Sequence, residues 1–234
     1  MFPVAILAGG LGTRLGAITE RIPKALIEVS GKPFVCRQLD YLQRQGVSDV
    51  VMCTGHLGDR IQAVVKDGAE FNLTVRYSPD GPTLLGTGGA LRRALPLLGE
   101  QFFVLYGDSY LPCDFRVVHK AFIQCGKPAL MTVLRNEDRW DKSNVLFRGG
   151  VVVEYNKRAR QPKMAHIDYG LSILSSSVLA YRPGGEVFDL AELYHELSLS
   201  NQLAGFEVAE RFYEIGSVQG LKDAESYFSK GSSA

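Results

Sequence analysis

Residues Pro3 to Ala8 form a short apolar run, and the chain then passes at once into Gly9-Gly10-Leu11-Gly12-Thr13-Arg14-Leu15. An apolar run of this length ending in glycine reads as a buried strand that feeds a turn. Glycines let the backbone take positive φ and approach a ligand closely. Successive N–H groups in such a loop form an anion-binding concavity. Arg14 and, after Pro23, Lys24 supply the cationic charge that a polyphosphate needs. The stretch predicts a nucleotide phosphate site where the first strand ends.

Two familiar phosphate loops do not fit. A P-loop needs Gly-Lys-Ser/Thr after its spacer, and no such run occurs. The dinucleotide fingerprint starts at Gly10 and Gly12 but meets Leu15 at its last position. The plainer alternative is a strand-loop-helix turn with incidental glycines.

The order of elements sets the fold class. A helix is expected from Phe34, with Val35, Leu39 and Leu42 on one face and Gly46 at its C-terminal cap. A buried strand at Asp49–Cys53, a helix near Leu57–Val65 and a strand at about Leu73–Tyr77 follow. This alternation predicts an α/β, Rossmann-like fold with a central, mostly parallel mixed sheet flanked by helices. After the loop 78–83 comes a helix with Ala90, Leu91, Ala94, Leu95 and Leu98 on its apolar side. The run Phe102–Tyr106 is apolar enough for a central strand and ends at Gly107-Asp108.

A helix containing Val117, Val118, Phe122 and Ile123 and a strand at Ala129–Leu134 come next. The second half is richer in strands, at Asn144–Phe147, Val151–Tyr155 and Gly170–Leu174, with a hairpin turn at Gly149-Gly150. The polar, basic segment Asn156–His166 reads as a loop. A helix near Leu190–Leu197, a strand near Phe206–Ala209 and a closing helix Val218–Phe228 capped by Ser217 complete the chain. A single domain over residues 1–230 with a disordered tail at 231–234 is expected.

Composition narrows the partners. Of the 234 residues, 46% are hydrophobic and 22% charged, and the net charge is +1. Neither nucleic acid nor an anionic membrane is suggested as a partner. No basic segment precedes the first apolar run as in a signal peptide. Cys36, Cys53, Cys113 and Cys125 form no C-x-x-C pair, and His56, His119, His166 and His195 show no metal-ligand spacing. Reduced thiols and a cytoplasmic location are expected.

The run L-A-G-G-L-G-T-R-L with Pro23-Lys24-Ala25-Leu26 resembles the signature of the sugar-1-phosphate nucleotidyltransferases. The resemblance continues through Leu85-Gly86-Thr87-Gly88-Gly89-Ala90, Gly107-Asp108 and Glu214-Ile215-Gly216, and so covers nearly the whole chain. It implies a nucleotidyltransferase fold with a small β-rich sugar-binding part in the second half. It implies a nucleoside triphosphate and a sugar 1-phosphate as substrates, pyrophosphate as a product and Mg²⁺ as the cofactor.

The resemblance also implies roles. Arg14 and Lys24 are the catalytic cations. Leu7, Ala8, Gly9, Gly10, Gly12, Thr13, Gly86, Thr87 and Gly88 are expected around the nucleotide, with Thr87 offering a hydroxyl. Asp108 and Glu214 are the metal ligands, although the family has Asp where Glu214 stands. Lys157 is the ligand of the sugar phosphate, with Asn156 where the family has Glu. Asp168, Tyr169 and Gly170 stand where the family has N-A-G, and Asp168 is expected on a sugar hydroxyl. These departures point away from the commoner glucose-type sugars.

Asp80 has two readings. Its carboxylate can accept from both N1–H and the exocyclic amine of guanine, or it simply makes the turn with Gly81. The pattern looks nearest to heptose 1-phosphate guanylyltransferases. Uridylyl transfer to a hexose or muramic acid phosphate, cytidylyl transfer to a phosphate such as phosphocholine, and a non-catalytic binding domain are the alternatives. Oligomeric state stays open.

Overall fold

The structure is a computed structural model, and it describes residues 1–12, 15–16, 19 and 21–231. Along the first half run β1 (Val4–Ala8), β2 (Glu28–Val29), β3 (Lys32–Pro33), α1 (Phe34–Arg44), β4 (Asp49–Thr54), α2 (Gly58–Val65), β5 (Thr74–Pro79), α3 (Gly86–Leu98), β6 (Gln101–Tyr106) and β7 (Ser109–Tyr110). The second half adds α4 (Phe115–Cys125), β8 (Ala129–Arg135), β9 (Val145–Arg148), β10 (Val151–Tyr155), β11 (His166–Ser175), α5 (Ser177–Ala180), α6 (Leu190–Leu199), β12 (Leu203–Val208), β13 (Tyr213–Glu214) and α7 (Val218–Gly231).

One sheet of nine strands has the order β5-β4-β1-β6-β11-β8-β12-β10-β9. β5, β4, β1 and β6 are mutually parallel, whereas β11 runs antiparallel to both β6 and β8. The chain lays β4 and β5 on one side of β1 and then crosses to place β6 on the other. This reversal opens a crevice at the carboxyl ends of β1 and β6, where open α/β sheets bind ligands.

Alternation along the strands fills both faces. Val4 and Ile6 of β1 join a core with Val35, Leu39 and Leu42 of α1. Ala5 and Leu7 join the opposite core with Ala90, Leu91 and Ala94 of α3. A period of two on the strand therefore meets an apolar helix stripe on each side. A third cluster, around Phe34, Tyr110, Ile215 and Ala224, fastens α7 to the separate two-stranded sheet of β7 and β13.

Local signals explain the helix ends. Gly46 takes φ 80° after α1. Its N–H bonds the Gln43 carbonyl at 2.9 Å, and Val47 N–H bonds the Leu42 carbonyl at 3.1 Å. This is the left-handed C-terminal cap that glycine allows. Ser217 Oγ accepts the Gly220 N–H at 3.0 Å, as expected of an N-cap. α7 includes Gly231, and the remainder of the expected tail, 232–234, lies outside the described residues.

Several boundaries differ from the sequence-based expectations. β5 begins one residue later and runs on to Pro79. β12 spans Leu203–Val208 because Leu203 and Ala204 pair with Ala129 and Leu130 of β8. β11 begins at His166, four residues before the expected start. Its register on β8 shifts between Asp168 and Ser172, while Ile167, Tyr169, Leu171 and Ile173 keep to one face along its length. The strand-rich second half is not a separate layer, since β9 and β10 continue the central sheet as its far edge. Among the described residues no helix is long and apolar enough to cross a membrane.

Candidate active site

A cavity of about 240 Å³ lies at the carboxyl ends of β1, β4, β5 and β6. Leu7, Ala8, Gly9 and Gly10 form one wall, Gly86 and Thr87 another, and Lys24 and Asp108 its polar end. Gly12 takes φ 66°, and its carbonyl accepts the Thr19 hydroxyl at 3.0 Å. Thr13 and Arg14 lie outside the described residues.

Lys24 begins a single 3₁₀ turn, Lys24–Leu26, after Pro23. Its ammonium donates to Asp108 Oδ2 at 2.9 Å, across 84 residues of sequence. Asp108 sits just beyond β6, in a turn clamped by Gln38 of α1. The Gln38 amide donates to the carbonyls of Tyr106 at 2.9 Å and Ser109 at 2.7 Å. Gln38 is 2% exposed, so these bonds are shielded from water.

β7 and β13 pair antiparallel with Ser109 opposite Glu214, and Ile215 N–H donates to the Asp108 carbonyl at 2.9 Å. The backbone thus brings the two expected metal ligands near one another, Asp108 just before β7 and Glu214 at the end of β13. Of the two, Asp108 lines the cavity, and a hard carboxylate there fits a divalent cation that keeps waters. Among the described residues no group of three or more His, Cys, Asp or Glu side chains gathers as a closed metal cage.

Asp80 follows β5 and is 5% exposed. Its Oδ2 accepts the Leu85 N–H at 3.1 Å, while its Oδ1 is buried without a hydrogen-bond partner at the cavity wall. Burial raises its pKa, against the opposing pull of the Leu85 N–H and Arg93. Asp80 therefore organises the loop and keeps one buried, unpartnered oxygen beside the cavity. Cys53 also lines the cavity, and burial pushes its thiol up to about 12. A thiol held protonated is no nucleophile.

The glycine-rich segment at the start of α3 has a different neighbour from the one expected. A Cβ on Gly88 would lie 2.1 Å from the Phe188 ring, and one on Gly89 would lie 2.4 Å from the Glu186 carbonyl oxygen. Gly88 backs onto Phe188 and is not in the cavity lining. The Thr87 hydroxyl is already engaged. It donates to Asp189 Oδ1 at 2.9 Å and accepts the Leu190 N–H at 2.8 Å.

The residues expected around the sugar phosphate divide. Lys157 Nζ lies 5.8 Å from the Tyr106 ring centre and 5.9 Å from that of Tyr155, within reach of cation–π attraction. Tyr106 itself lines the cavity. Burial raises the Asp168 pKa, and Lys157 and the Gly170 N–H, 3.0 Å from Asp168 Oδ1, oppose that rise.

Asn156 spends its side chain on its own loop. Its Oδ1 accepts the N–H groups of Arg158 at 3.0 Å and Ala159 at 2.8 Å. Tyr169, 1% exposed, points away into the core beside Phe212. Gly170, at φ 102°, sits in the β11 bulge. Asp168 and Tyr169 are consecutive in β11, so alternation sends them to opposite faces.

The sequence reading missed Tyr106, Gln38, Phe188 and Asp189. Tyr106 was visible as the aromatic ending the strand before Gly107-Asp108. Asp189 was visible as a helix start, three residues before Glu192, and it does cap α6 by accepting the Ala191 N–H at 2.9 Å. No local pattern announces the partners of Gln38 or Phe188.

The family described as "MobA-like NTP transferase domain" matches residues 4–180. Over 193 residues the chain is 30% identical to the D-glycero-alpha-D-manno-heptose 1-phosphate guanylyltransferase of Campylobacter jejuni, spanning 82% of this chain and 84% of that protein. Over 231 residues it is 26% identical to the N-acetylmuramate alpha-1-phosphate uridylyltransferase of Neisseria meningitidis, spanning 94% and 96%. The solved structure of HddC from Yersinia pseudotuberculosis complexed with GMP-PN matches with a TM-score of 0.81 at 28% identity, covering 97% of this chain and 100% of that one.

Proposed function

The chain belongs to the family of MobA-like NTP transferase domains and is a sugar-1-phosphate nucleotidyltransferase, and on that premise we propose that it joins GTP to a heptose 1-phosphate. A phosphate oxygen of the sugar 1-phosphate attacks the α-phosphorus of the triphosphate. The new P–O bond forms as the bond to the β-phosphate oxygen breaks, and pyrophosphate leaves with the electron pair. Such a step asks the protein for in-line positioning and charge neutralisation, and for no nucleophile of its own.

In this reading the N–H groups around Gly9 and Gly10 hold the triphosphate. Lys24 and Arg14 neutralise the reacting phosphates. Lys157 receives the sugar phosphate beside Tyr106, and Asp168 stands behind Lys157 as the half-buried carboxylate of the sugar side. Asp108 and Glu214 would hold Mg²⁺, which when bound draws negative charge from the phosphate oxygens. We take residues 1–230 as the working unit. The four free cysteines suit a reducing compartment, and we assign the reaction to the cytoplasm.

The observation that carries the choice of base is Asp80. A buried carboxylate oxygen with no partner favours a ligand edge that donates hydrogen bonds. Guanine offers N1–H and an exocyclic amine, whereas the O4 and O2 edges of uracil would be repelled. The likeness to a uridylyltransferase over almost the whole chain supports uridylyl transfer to an N-acetylmuramate or hexose phosphate as the second reading.

Pyrophosphate release with Mg²⁺, crossing GTP, UTP, dTTP, CTP and ATP with sugar 1-phosphates that include heptoses, tests both. Release with GTP and a heptose 1-phosphate is the expected result. Release with UTP alone overturns the assignment of the base, and release with no pair overturns the assignment of these substrates.

A further inference from the structure

Residues 186–199 touch both halves of the site without being assigned to either. At their start they hold the glycine-rich segment at the head of α3. Phe188 N–H donates to the Leu85 carbonyl at 3.1 Å, and the Phe188 carbonyl accepts Gly88 N–H at 3.0 Å. Asp189 then caps α6 through Ala191 N–H and accepts the Thr87 hydroxyl at the same oxygen. Thr87 in turn accepts the Leu190 N–H. The first turn of α6 is therefore capped partly by its own chain and partly by a residue of the cavity wall, 102 residues away.

Further along, α6 holds the loop that carries Lys157. Both backbone groups of Tyr155, the last residue of β10, bond to α6. Its carbonyl lies 2.7 Å from His195 Nδ1, and its N–H donates to Ser198 Oγ at 3.1 Å. The Tyr155 and Tyr194 rings meet edge to face at 5.7 Å. Arg158, immediately after Lys157, pairs with Glu192 at 2.8 Å. A ten-residue helix is about 15 Å long. It forms a stiff connection between the nucleotide wall and the sugar-phosphate loop.

We propose that Asp189 is a positioning residue that couples the two substrate sites, because its bond to Thr87 ties the nucleotide wall to the helix that sets the Lys157 loop. The coupling rests on the nucleotide lying against residues 86–87 and the sugar phosphate on Lys157. Packed, hydrogen-bonded elements carry such coupling when both sites bias the same element. Nucleotide bound at the wall orders Thr87, Thr87 fixes the start of α6, and α6 presents Lys157 with less ordering left for the second substrate. Asp189 touches neither substrate.

Hydrogen exchange of the full chain reads this directly. The protein is compared with and without each of GTP, UTP, dTTP and CTP in the presence of Mg²⁺. Slower exchange at residues 86–90 identifies the nucleotide that binds. The expected result is that the same nucleotide also slows exchange at the amides of Arg158 and Ala159.

In Asp189→Ala the slowing at 86–90 persists and the slowing at Arg158 and Ala159 is lost. Asp189→Asn, which keeps an acceptor for Thr87, retains both. Asp189→Gly keeps a residue compatible with the cap but removes the acceptor, so it behaves as Asp189→Ala even if the alanine variant is too unstable to measure. Protection at 86–90 alone in the unaltered protein overturns the coupling and leaves the nucleotide site standing. The same result follows from undiminished slowing at Arg158 in both Asp189→Ala and Asp189→Gly. Absence of protection at 86–90 with all four nucleotides overturns the nucleotide site itself, and the coupling with it.

Discussion

Lys24 and Asp108 form an ion pair at 2.9 Å in the polar end of the cavity, with side chains 17% and 24% exposed. We propose that the same carboxylate holds a divalent cation, which would compete with the Lys24 ammonium and free Lys24 for the phosphates. Lys24→Ala is expected to lower kcat by about 10²–10³-fold, the scale seen when one group that stabilises transition-state charge is removed. The variant remains folded and binds Mn²⁺ more tightly than the parent in a titration without nucleotide. Weaker Mn²⁺ binding in Lys24→Ala would show that Lys24 does not compete for Asp108.

Asp108→Asn removes the charge that pairs with Lys24 and that would hold the proposed cation. Most of the rate is expected to be lost, and the remaining pyrophosphate release should not respond to added Mg²⁺. An unchanged Mg²⁺ titration in this variant would place the metal elsewhere.

Asp80→Asn keeps an oxygen for the Leu85 N–H and puts an amide donor at the position of the unpartnered Oδ1 beside the cavity. A charge-assisted hydrogen bond is worth about 1.5–3 kcal/mol, so the preference for GTP over UTP should fall by about 10- to 100-fold. Competition between the two triphosphates in a pyrophosphate assay measures the ratio. A ratio equal to that of the parent would return Asp80 to a purely structural role.

Gly88→Ala sets a methyl group 2.1 Å from the Phe188 ring. Overpacking of this kind costs about 1–3 kcal/mol. The loss should be read by thermal unfolding and be relieved when Phe188→Ala is added, which a double-mutant cycle quantifies. Additive losses in the cycle would mean that the two residues do not collide.

Burial raises the Asp168 pKa above the ordinary 3.8, so the folded protein binds its proton more tightly than the unfolded chain does. A raised carboxylate pKa means that the ionised group costs stability. That cost is absent below 3.8, grows through the window up to the folded pKa and is complete above it. Asp168→Asn is therefore expected to gain stability relative to the parent as pH rises through that window. It should show no such gain in acid, while the KM for the sugar phosphate rises. Denaturant unfolding across pH checks the sign, and a difference independent of pH would remove Asp168 as its source.

The strand-and-glycine opening, the α/β order of elements and the charged residues of the site are legible in the chain's local patterns. An apolar run with period two, a cap residue and a motif of fixed spacing act over a few residues. Lys24, Asp80, Asp108 and Lys157 were all named from such signals.

Which residues meet is settled by packing between distant segments. Gly88 is glycine against Phe188, Thr87 is spent on Asp189, and Asn156 is spent on its own loop. Tyr169 turns into the core where Asp168 beside it does not, because consecutive residues of β11 take opposite faces and the core lies on one of them. These outcomes depend on close packing and hydrogen bonding between segments up to 103 residues apart. Local propensity carries no record of such contacts, since burial and partner choice are settled only when the sheet and its helices come together.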